Sequence, residues 1–334
     1  MTDLRLAWLG DDFTGAAAVM EVLSFAGLPS VLFTEPPSSA LMARFADCAG
    51  VGLATTARAQ GPDWMAEHLP PLFAALEALR PAILHYKICS TFDSAPHLGS
   101  IGAAIAAGLS VRPSRAVPLL TAAPAMRRYQ AFGHLFAGSP QGVFRLDRHP
   151  VMAHHPATPM AESDLLAHLT AQTDLPGALI DLEALATDPQ ARLEEALTQG
   201  ARILSLDSMD PASEAAAGAL IWRNRARMGF VAGSQGVEYA LVRHWRQTGD
   251  LPAPPPVSAG RVARIAAVSG SVSPVTAAQL DWAGRHGFAL LPFDARAACG
   301  SEADLTAEVA RLTAAALRAA SDGASPLIHS AAVR

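Results

Sequence analysis

Four loops in this sequence gather side chains able to bind or activate a small polar molecule. The first, Gly10-Asp11-Asp12-Phe13-Thr14-Gly15, sets two adjacent carboxylates where an apolar run ends. Such a pair accepts hydrogen bonds from substrate hydroxyls, and one member could act as a general base; capping of the following helix by Asp12 or Thr14 is the structural alternative. The second, Lys87-Ile88-Cys89-Ser90-Thr91-Phe92-Asp93-Ser94, brings one cation, three hydroxyls and one carboxylate into eight residues. An ammonium for a carboxylate or phosphate, with the three hydroxyls and Asp93 for substrate hydroxyls, suits a small anionic polyol, although Ser and Asp also satisfy turn amides. Lys87 stands out because the chain has 24 Arg and this single Lys. A compact ammonium with three rotatable donors does not substitute for a planar guanidinium.

The third loop, Val231-Ala232-Gly233-Ser234-Gln235-Gly236, resembles a backbone nest for an anion. It is not a nucleophile elbow, because Ala232 stands where the first Gly of GxSxG must be. The fourth, Val268-Ser269-Gly270-Ser271-Val272-Ser273-Pro274-Val275-Thr276, opens a helix with Pro274 at its first position. Its serine hydroxyls and free amides at a helix N-terminus make a phosphate cradle. No GxxxxGK[ST] run occurs, so ATP bound here would be held without a P-loop, and no GxGxxG supports a dinucleotide oxidoreductase. Cys89 reads as a small buried hydrophobe rather than a hydrolase nucleophile served by His149, His154 or His155. Those histidines lack a carboxylate partner, so no metal site is assigned to them.

These loops need strands and helices to hold them, and the periodicity supplies both. Strands are expected at Leu4–Leu9, Val31–Phe33, Ile83–Lys87, Val117–Leu120, Ala178–Leu182, Ile203–Asp207 and Phe230–Ala232. Helical patterns fall between them, at Thr14–Ala26, Met65–Leu79, Pro96–Leu109, Pro189–Gln199, Pro211–Arg227 and Val237–Gln247. Alternation of this kind gives an α/β fold with a mainly parallel, helix-flanked sheet, and ligands then sit at the carboxyl ends of strands. The stretch 132–160, rich in Gly, Pro and His without clear period, is expected to be a lid-like loop. A Pro-rich linker over 251–260 separates a first domain, 1–250, from a second, 261–334. That second α/β unit has expected strands at Arg261–Val268, Phe288–Phe293 and Pro326–Ser330 and helices at Pro274–His286 and Glu302–Ala320.

The composition bounds the function. Of 334 residues, 51% are hydrophobic and 16% charged, which fits folded domains with sizeable cores. A net charge of −5 without a basic stripe argues against nucleic acid as a partner. No apolar run approaches the ~18 residues of a membrane span, and no signal peptide precedes the first strand, so a cytoplasmic protein is expected. Cys48, Cys89 and Cys299 form no CxxC and indicate neither a disulfide framework nor zinc.

Taken in order along the chain, these segments resemble the four-carbon acid sugar kinase family. The resemblance rests on Asp11–Ala16, the Lys87–Ser94 run with Gly99-Ser100-Ile101-Gly102, and Val231–Gly236. It extends to Ser269–Gln279, Arg128-Tyr129 and the loop His149-Pro150…His154-His155-Pro156…Thr158-Pro159-Met160. It implies ATP-dependent phosphorylation of a small sugar acid such as a tetronate or 3-oxo-tetronate, with Mg²⁺. The N-terminal domain would bind the acid and the C-terminal domain the nucleotide. Carried over, Asp11, Asp12 and Lys87 are catalytic candidates, and Ser90, Asp93, Arg128 and His154 are candidates for acid binding. Gly270, Ser271 and Ser273 would contact the nucleotide. Closure of the two domains across the linker would exclude water. Family members typically continue into a Gly-Gly-x-Thr-Ser segment that completes the ATP pocket. This sequence has none, so the second domain is expected to be incomplete, and a sugar-acid-binding or effector protein derived from such a kinase is the alternative. The exposed edge of a three-strand domain would favour homo-oligomers.

Overall fold

The computed structural model describes residues 4–254, 258, 260–273 and 274–330, with the side chain of Pro274 outside the description. It divides into two units, 1–255 and 256–334. Part of the expected 251–260 linker, at 255–257 and 259, lies outside the described residues.

The first unit is built on eight strands: β1 (Leu6–Gly10), β2 (Ser30–Phe33), β3 (Gly50–Ala54), β4 (Ile83–Lys87), β5 (Val117–Leu120), β9 (Gly177–Ile180), β10 (Ile203–Leu206) and β11 (Phe230–Gly233). Between β5 and β9 come three more, β6 (Arg128–Ala131), β7 (His134–Ser139) and β8 (Gly142–Arg145). The large sheet runs β2-β3-β1-β4-β11-β5-β10-β9, and its pairings are parallel. Both faces of β1 are buried, as the unbroken apolar run Leu-Ala-Trp-Leu requires of a central parallel strand. Successive side chains point to opposite faces, so Leu6 and Trp8 join one core while Ala7 and Leu9 join the other.

The two faces are covered by different crossovers, and this fixes where a ligand can enter. After β1 the helix Phe13–Phe25 packs Ala16, Val19 and Leu23 on the Leu6/Trp8 face. After β3 the helix Pro62–Glu77 packs Met65, Leu69 and Phe73 on the opposite face. The chain therefore leaves β1 toward β2 in one direction and returns past β1 to β4 in the other. A topological switch of this type opens a crevice at the carboxyl ends of β1 and β4, and the loops after those strands carry Asp11–Asp12 and Ile88–Ser94.

Three points of the sequence reading are corrected here. The sequence reading has no strand at Gly50–Ala54, because Gly weakens strand propensity, yet β3 pairs with both β1 and β2. Gly52 is there because a Cβ would lie 2.1 Å from the Trp8 ring. The segment 132–160 is not one loop: its first half supplies β7 and β8, which with β6 form an antiparallel sheet. Its first turn, Phe132-Gly133, has φ of 48° and 82°, the positive values of a two-residue hairpin. Asp207 holds that turn by accepting the amides of Phe132 at 2.6 Å and Gly133 at 3.0 Å. The expected helix Pro96–Leu109 begins only at Ile101, with Ser100 as its cap.

The second unit has a parallel sheet of β12 (Ala267–Ser269), β13 (Phe288–Pro292) and β14 (Ser325–His329) in the order β12-β14-β13. The first strand is three residues long rather than the eight expected from Arg261–Val268. Helices at Pro274–Gly284 and Glu302–Ser321 flank it, and Leu280, Ala283 and Leu327 form its small core.

Candidate functional site

At the switch point, Asp11 and Asp12 are drawn together by a residue the sequence reading did not single out. Arg58 donates Nε to Asp11 Oδ2 at 3.0 Å, Nη2 to Asp11 Oδ1 at 2.6 Å and Nη1 to Asp12 Oδ2 at 2.8 Å. It lies just beyond β3, in Thr55-Thr56-Ala57-Arg58, so missing that strand hid a strand-end loop equivalent to the others. Asp12 rather than Thr14 caps the helix Phe13–Phe25, accepting the Gly15 amide at 2.7 Å. One oxygen of this carboxylate thus caps the helix while the other takes Arg58.

Burial raises the Asp11 carboxyl above its ordinary pKa, and the Arg58 guanidinium and Lys87 ammonium pull it part of the way back. For Arg58 burial acts downward, but Asp11 outweighs it and leaves the guanidinium firmly charged.

Lys87 is 1% exposed, and its Nζ donates to the Ile88 carbonyl at 2.6 Å. A Cβ on Gly15 would come within 2.7 Å of that Nζ and 2.4 Å of Asp12 Oδ1. The ammonium is therefore tucked beneath the first turn of the helix, and Gly15 leaves it the room. It adds positive potential to the aspartate pair from behind and does not line the adjoining cavity.

That cavity, of about 480 Å³, is walled by Asp11, Asp12 and Phe13, by Thr55, Thr56 and Arg58, by Asp93, and by His155 and Thr158. Asp93 is aimed by a turn in which Phe92, fully buried, takes a left-handed φ of 57°. Such a conformation is uncommon for a bulky residue and marks a tightly determined loop. Thr91 Oγ1 donates to Asp93 Oδ1 at 2.7 Å, and Cys89 Sγ lies 3.0 Å from the same hydroxyl. Burial raises the Cys89 thiol, which leaves it protonated, as befits a packing residue. Ser90 is buried in this loop and does not line the cavity.

Of the histidine loop, His155 reaches the wall while His154 is exposed and points elsewhere. The loop is folded back by His155 Nδ1, which accepts the Thr158 amide at 3.1 Å. Arg128 is half-buried, with its Nη1 near the Met126, Arg127 and Gly138 carbonyls at 3.3–3.4 Å. Its Nε is buried without a partner. Burial lowers its pKa, while Cys89 and Asp93 act in the opposite sense, so the guanidinium faces the Cys89–Asp93 loop. Among the described residues, no three His, Cys, Asp or Glu side chains gather in a metal-holding cluster, and no helix is long and apolar enough to cross a membrane.

In the second unit, Ser273 Oγ caps its helix by accepting the Thr276 amide at 3.2 Å. Ser271 Oγ accepts from Ser273 N at 3.3 Å and from Thr276 Oγ1 at 2.8 Å. A cavity of about 410 Å³ lies at the carboxyl ends of β12 and β14, lined by Ser269, Gly270, Phe293, Leu312, His329 and Ser330 among others. Gly270 belongs to that wall; Ser271 and Ser273 do not.

The Sugar-binding N-terminal domain family matches residues 6–241. The 3-oxo-isoapionate kinase of Paraburkholderia graminis is 44% identical over 98% of this chain and 70% of its own length. The 3-oxo-tetronate kinase of Pseudomonas fluorescens is 31% identical over 83% of this chain and 63% of its own length. The chain thus spans roughly two thirds of the curated relatives it matches. A solved structure from Salmonella typhimurium LT2, 24% identical, superposes with a TM-score of 0.77 over 98% of this chain and 74% of that one, and so shares the fold. With its sugar-binding domain matched from β1 to the helix after β11, and with kinases of 3-oxo sugar acids as its curated relatives, the chain belongs to the four-carbon acid sugar kinase family, a family of carbohydrate kinases.

Proposed function

We propose that this chain phosphorylates a hydroxyl of a small 3-oxo sugar acid at the expense of ATP. The observation that supports this best is the cavity at the β1/β4 switch, where Asp11, Asp12, Arg58 and Asp93 share one wall. Carboxylates of this kind accept hydrogen bonds from a polyol, and phosphoryl transfer depends mainly on positioning and charge neutralisation. The substrate class follows the relatives, with 3-oxo-isoapionate ahead of the tetronates because that kinase is 44% identical.

Asp11 is the base in this reading. It faces the cavity, it is 3% exposed, and its raised pKa brings its proton affinity closer to that of the hydroxyl it must activate. Arg58 fixes its orientation through two hydrogen bonds. Asp12, more open to solvent, and Asp93 orient substrate hydroxyls. Arg128, a half-buried guanidinium outside the wall of this cavity, is the candidate for the substrate carboxylate. Lys87 supports the aspartates electrostatically from beneath the helix.

The residues fit Mg²⁺ as an ion held by one carboxylate and by substrate phosphates, the usual mode for this cation; Asp12 would supply the carboxylate. They also fit a nucleotide in the second unit, where the wall at Gly270 is open enough that a Cβ would meet nothing within 4 Å. Ser271 and Ser273 would act there by shaping the loop. ATP supplies the phosphoryl group, and Mg²⁺ its charge neutralisation.

The test is ADP release from Mg-ATP by the 334-residue chain, across 3-oxo-isoapionate, 3-oxo-tetronate and tetronate acids. Saturable turnover with one acid is expected. Asp11→Asn should lower kcat by at least about a hundredfold, the range of a positioned base. Wild-type turnover in both Asp11→Asn and Asp12→Asn would refute the assignment. Acid binding without turnover would favour a binding or effector role.

A further inference from the structure

At the opposite end of the sheet from the aspartates lies a second cavity, of about 490 Å³, with no role in the chemistry above. Its wall includes Arg5, Arg80, Arg225, Trp222 and Asp250. Arg5 immediately precedes β1 and Asp11 immediately follows it, so the two cavities are about 20 Å apart at the rise of a parallel strand.

The three arginines share one cavity wall and carry no ion-pair partner there among the described residues. None of the three is in a salt bridge with a described residue, whereas Arg58, Arg112, Arg145, Arg227, Arg243 and Arg311 each are. Two are held in place by indoles: the Arg5 guanidinium lies 5.0 Å from the Trp245 ring and that of Arg225 lies 4.0 Å from Trp222. The two indoles pack edge to face at 5.0 Å. Stacking orients a guanidinium without occupying its donors.

Arg5 Nη2 donates to the Asp250 carbonyl at 3.1 Å, while its Nη1 is buried without a hydrogen-bond partner. Among the described residues of the wall Asp250 alone carries a carboxylate, which accepts from Thr248 Oγ1 at 2.7 Å, so one negative charge faces three guanidiniums. Arg80 sits just past the helix Pro62–Glu77 with a left-handed φ of 56°, a place where Gly is the usual residue. Cations at helix ends are favoured by the dipole, and Arg225 Nη1 does donate to the Trp222 carbonyl at 2.7 Å. That explanation does not extend to Arg5, which precedes a strand and carries the buried unpartnered donor.

We infer that this cavity is a binding site for a small multivalent phosphate, in which Arg5, Arg80 and Arg225 supply the charge and Trp222, braced from behind by Trp245, the rigid wall. Paired guanidiniums match phosphate oxygens in geometry as well as in sign. The shared chemistry is a phosphate carrying at least one further anionic group. A polyphosphate or a phosphorylated acid would provide it, and the probes separate the two.

The experiment follows the indole N–H resonances of Trp222 and Trp245 in the full chain, assigned with Trp222→Phe, as pyrophosphate or 3-phosphoglycerate is added. The expected result is saturable shifts of these two resonances with one or both probes. The tighter probe identifies the source of the phosphate. Arg80→Ala, an exposed side chain without a salt bridge, and Arg225→Ala should each weaken binding by about tenfold, the loss of one charge-assisted contact. Asp11→Asn, at the far end of β1, should leave the titration unchanged. Absence of saturable shifts with both probes overturns the inference. So does a titration that is the same in wild type and in both arginine variants.

Discussion

Replacing Arg58 by Met keeps most of the volume of this side chain and removes its charge, which isolates the ion pair from the packing. Three charge-assisted hydrogen bonds disappear, two from Asp11 and one from Asp12. The Asp11 side chain is 5% exposed and that of Arg58 is 25% exposed. Breaking a fully buried pair costs about 3–5 kcal/mol, because the remaining charge is left without compensation. Solvent reaches Arg58, so water can partly replace it, and we expect a loss of about 2–4 kcal/mol at neutral pH. The loss should depend on pH. Burial already holds the Asp11 pKa above its ordinary value against the pull of Arg58, and without Arg58 it rises further. A carboxyl whose folded pKa exceeds its unfolded value contributes stability below the unfolded pKa and loses it as pH rises through the folded one. The deficit of Arg58→Met against wild type should therefore be small near pH 4 and widen toward neutrality. Urea unfolding at about pH 4 and about pH 8 measures it. In the Asp11→Asn/Arg58→Met double variant the buried charge is gone, and more than half of the neutral-pH loss should return. A deficit independent of pH, or no recovery in the double variant, would refute the pairing as the source of the stability.

Two further perturbations probe the same end of the sheet. Gly15→Ala places a Cβ 2.4 Å from Asp12 Oδ1 and 2.7 Å from Lys87 Nζ. Because both atoms must move, it should cost about 1–3 kcal/mol in urea unfolding and at least about tenfold in turnover; wild-type values for both would show the ammonium is not confined there. His168 bonds Ser94 Oγ through Nε2 at 3.0 Å behind the Cys89–Ser94 loop, and burial lowers its pKa. A lowered folded pKa gives stability that is present above the unfolded value, near 6.5, and lost as pH falls through the folded one. The midpoint of urea unfolding should thus fall from about pH 7 to about pH 5, and His168→Gln should flatten that slope. His149 and His244 are lowered in the same way and will leave a residue of it. An unchanged slope in the variant would remove His168 from the account.

The legibility of the site followed the legibility of the strands. β1 is a continuous apolar run and β4 a short Ile-Leu-His-Tyr run after Pro81, so their ends, and with them Asp11, Asp12 and the Lys87–Ser94 loop, are legible from pattern. β3 is Gly-Val-Gly-Leu-Ala, and its glycines exist to admit Trp8 from the neighbouring strand. A local pattern does not carry that tertiary requirement, so neither the strand nor Arg58 is legible from it. The single Lys is a buried cation beneath Asp11 and Asp12. What the sequence did not reveal is direction: Lys87 points back under the helix, and the guanidinium that holds both aspartates arrives from a different loop. His154 and His155 make the same point, because adjacent residues in an irregular segment differ in which one faces the cavity, and no period exists there to choose between them. Arg58 could have been found by asking which loops must lie beside Asp11 once the sheet is closed. In a doubly wound sheet the next strand end after the first helix-crossover pair returns to the side of β1, and its first long polar residue is the one to test.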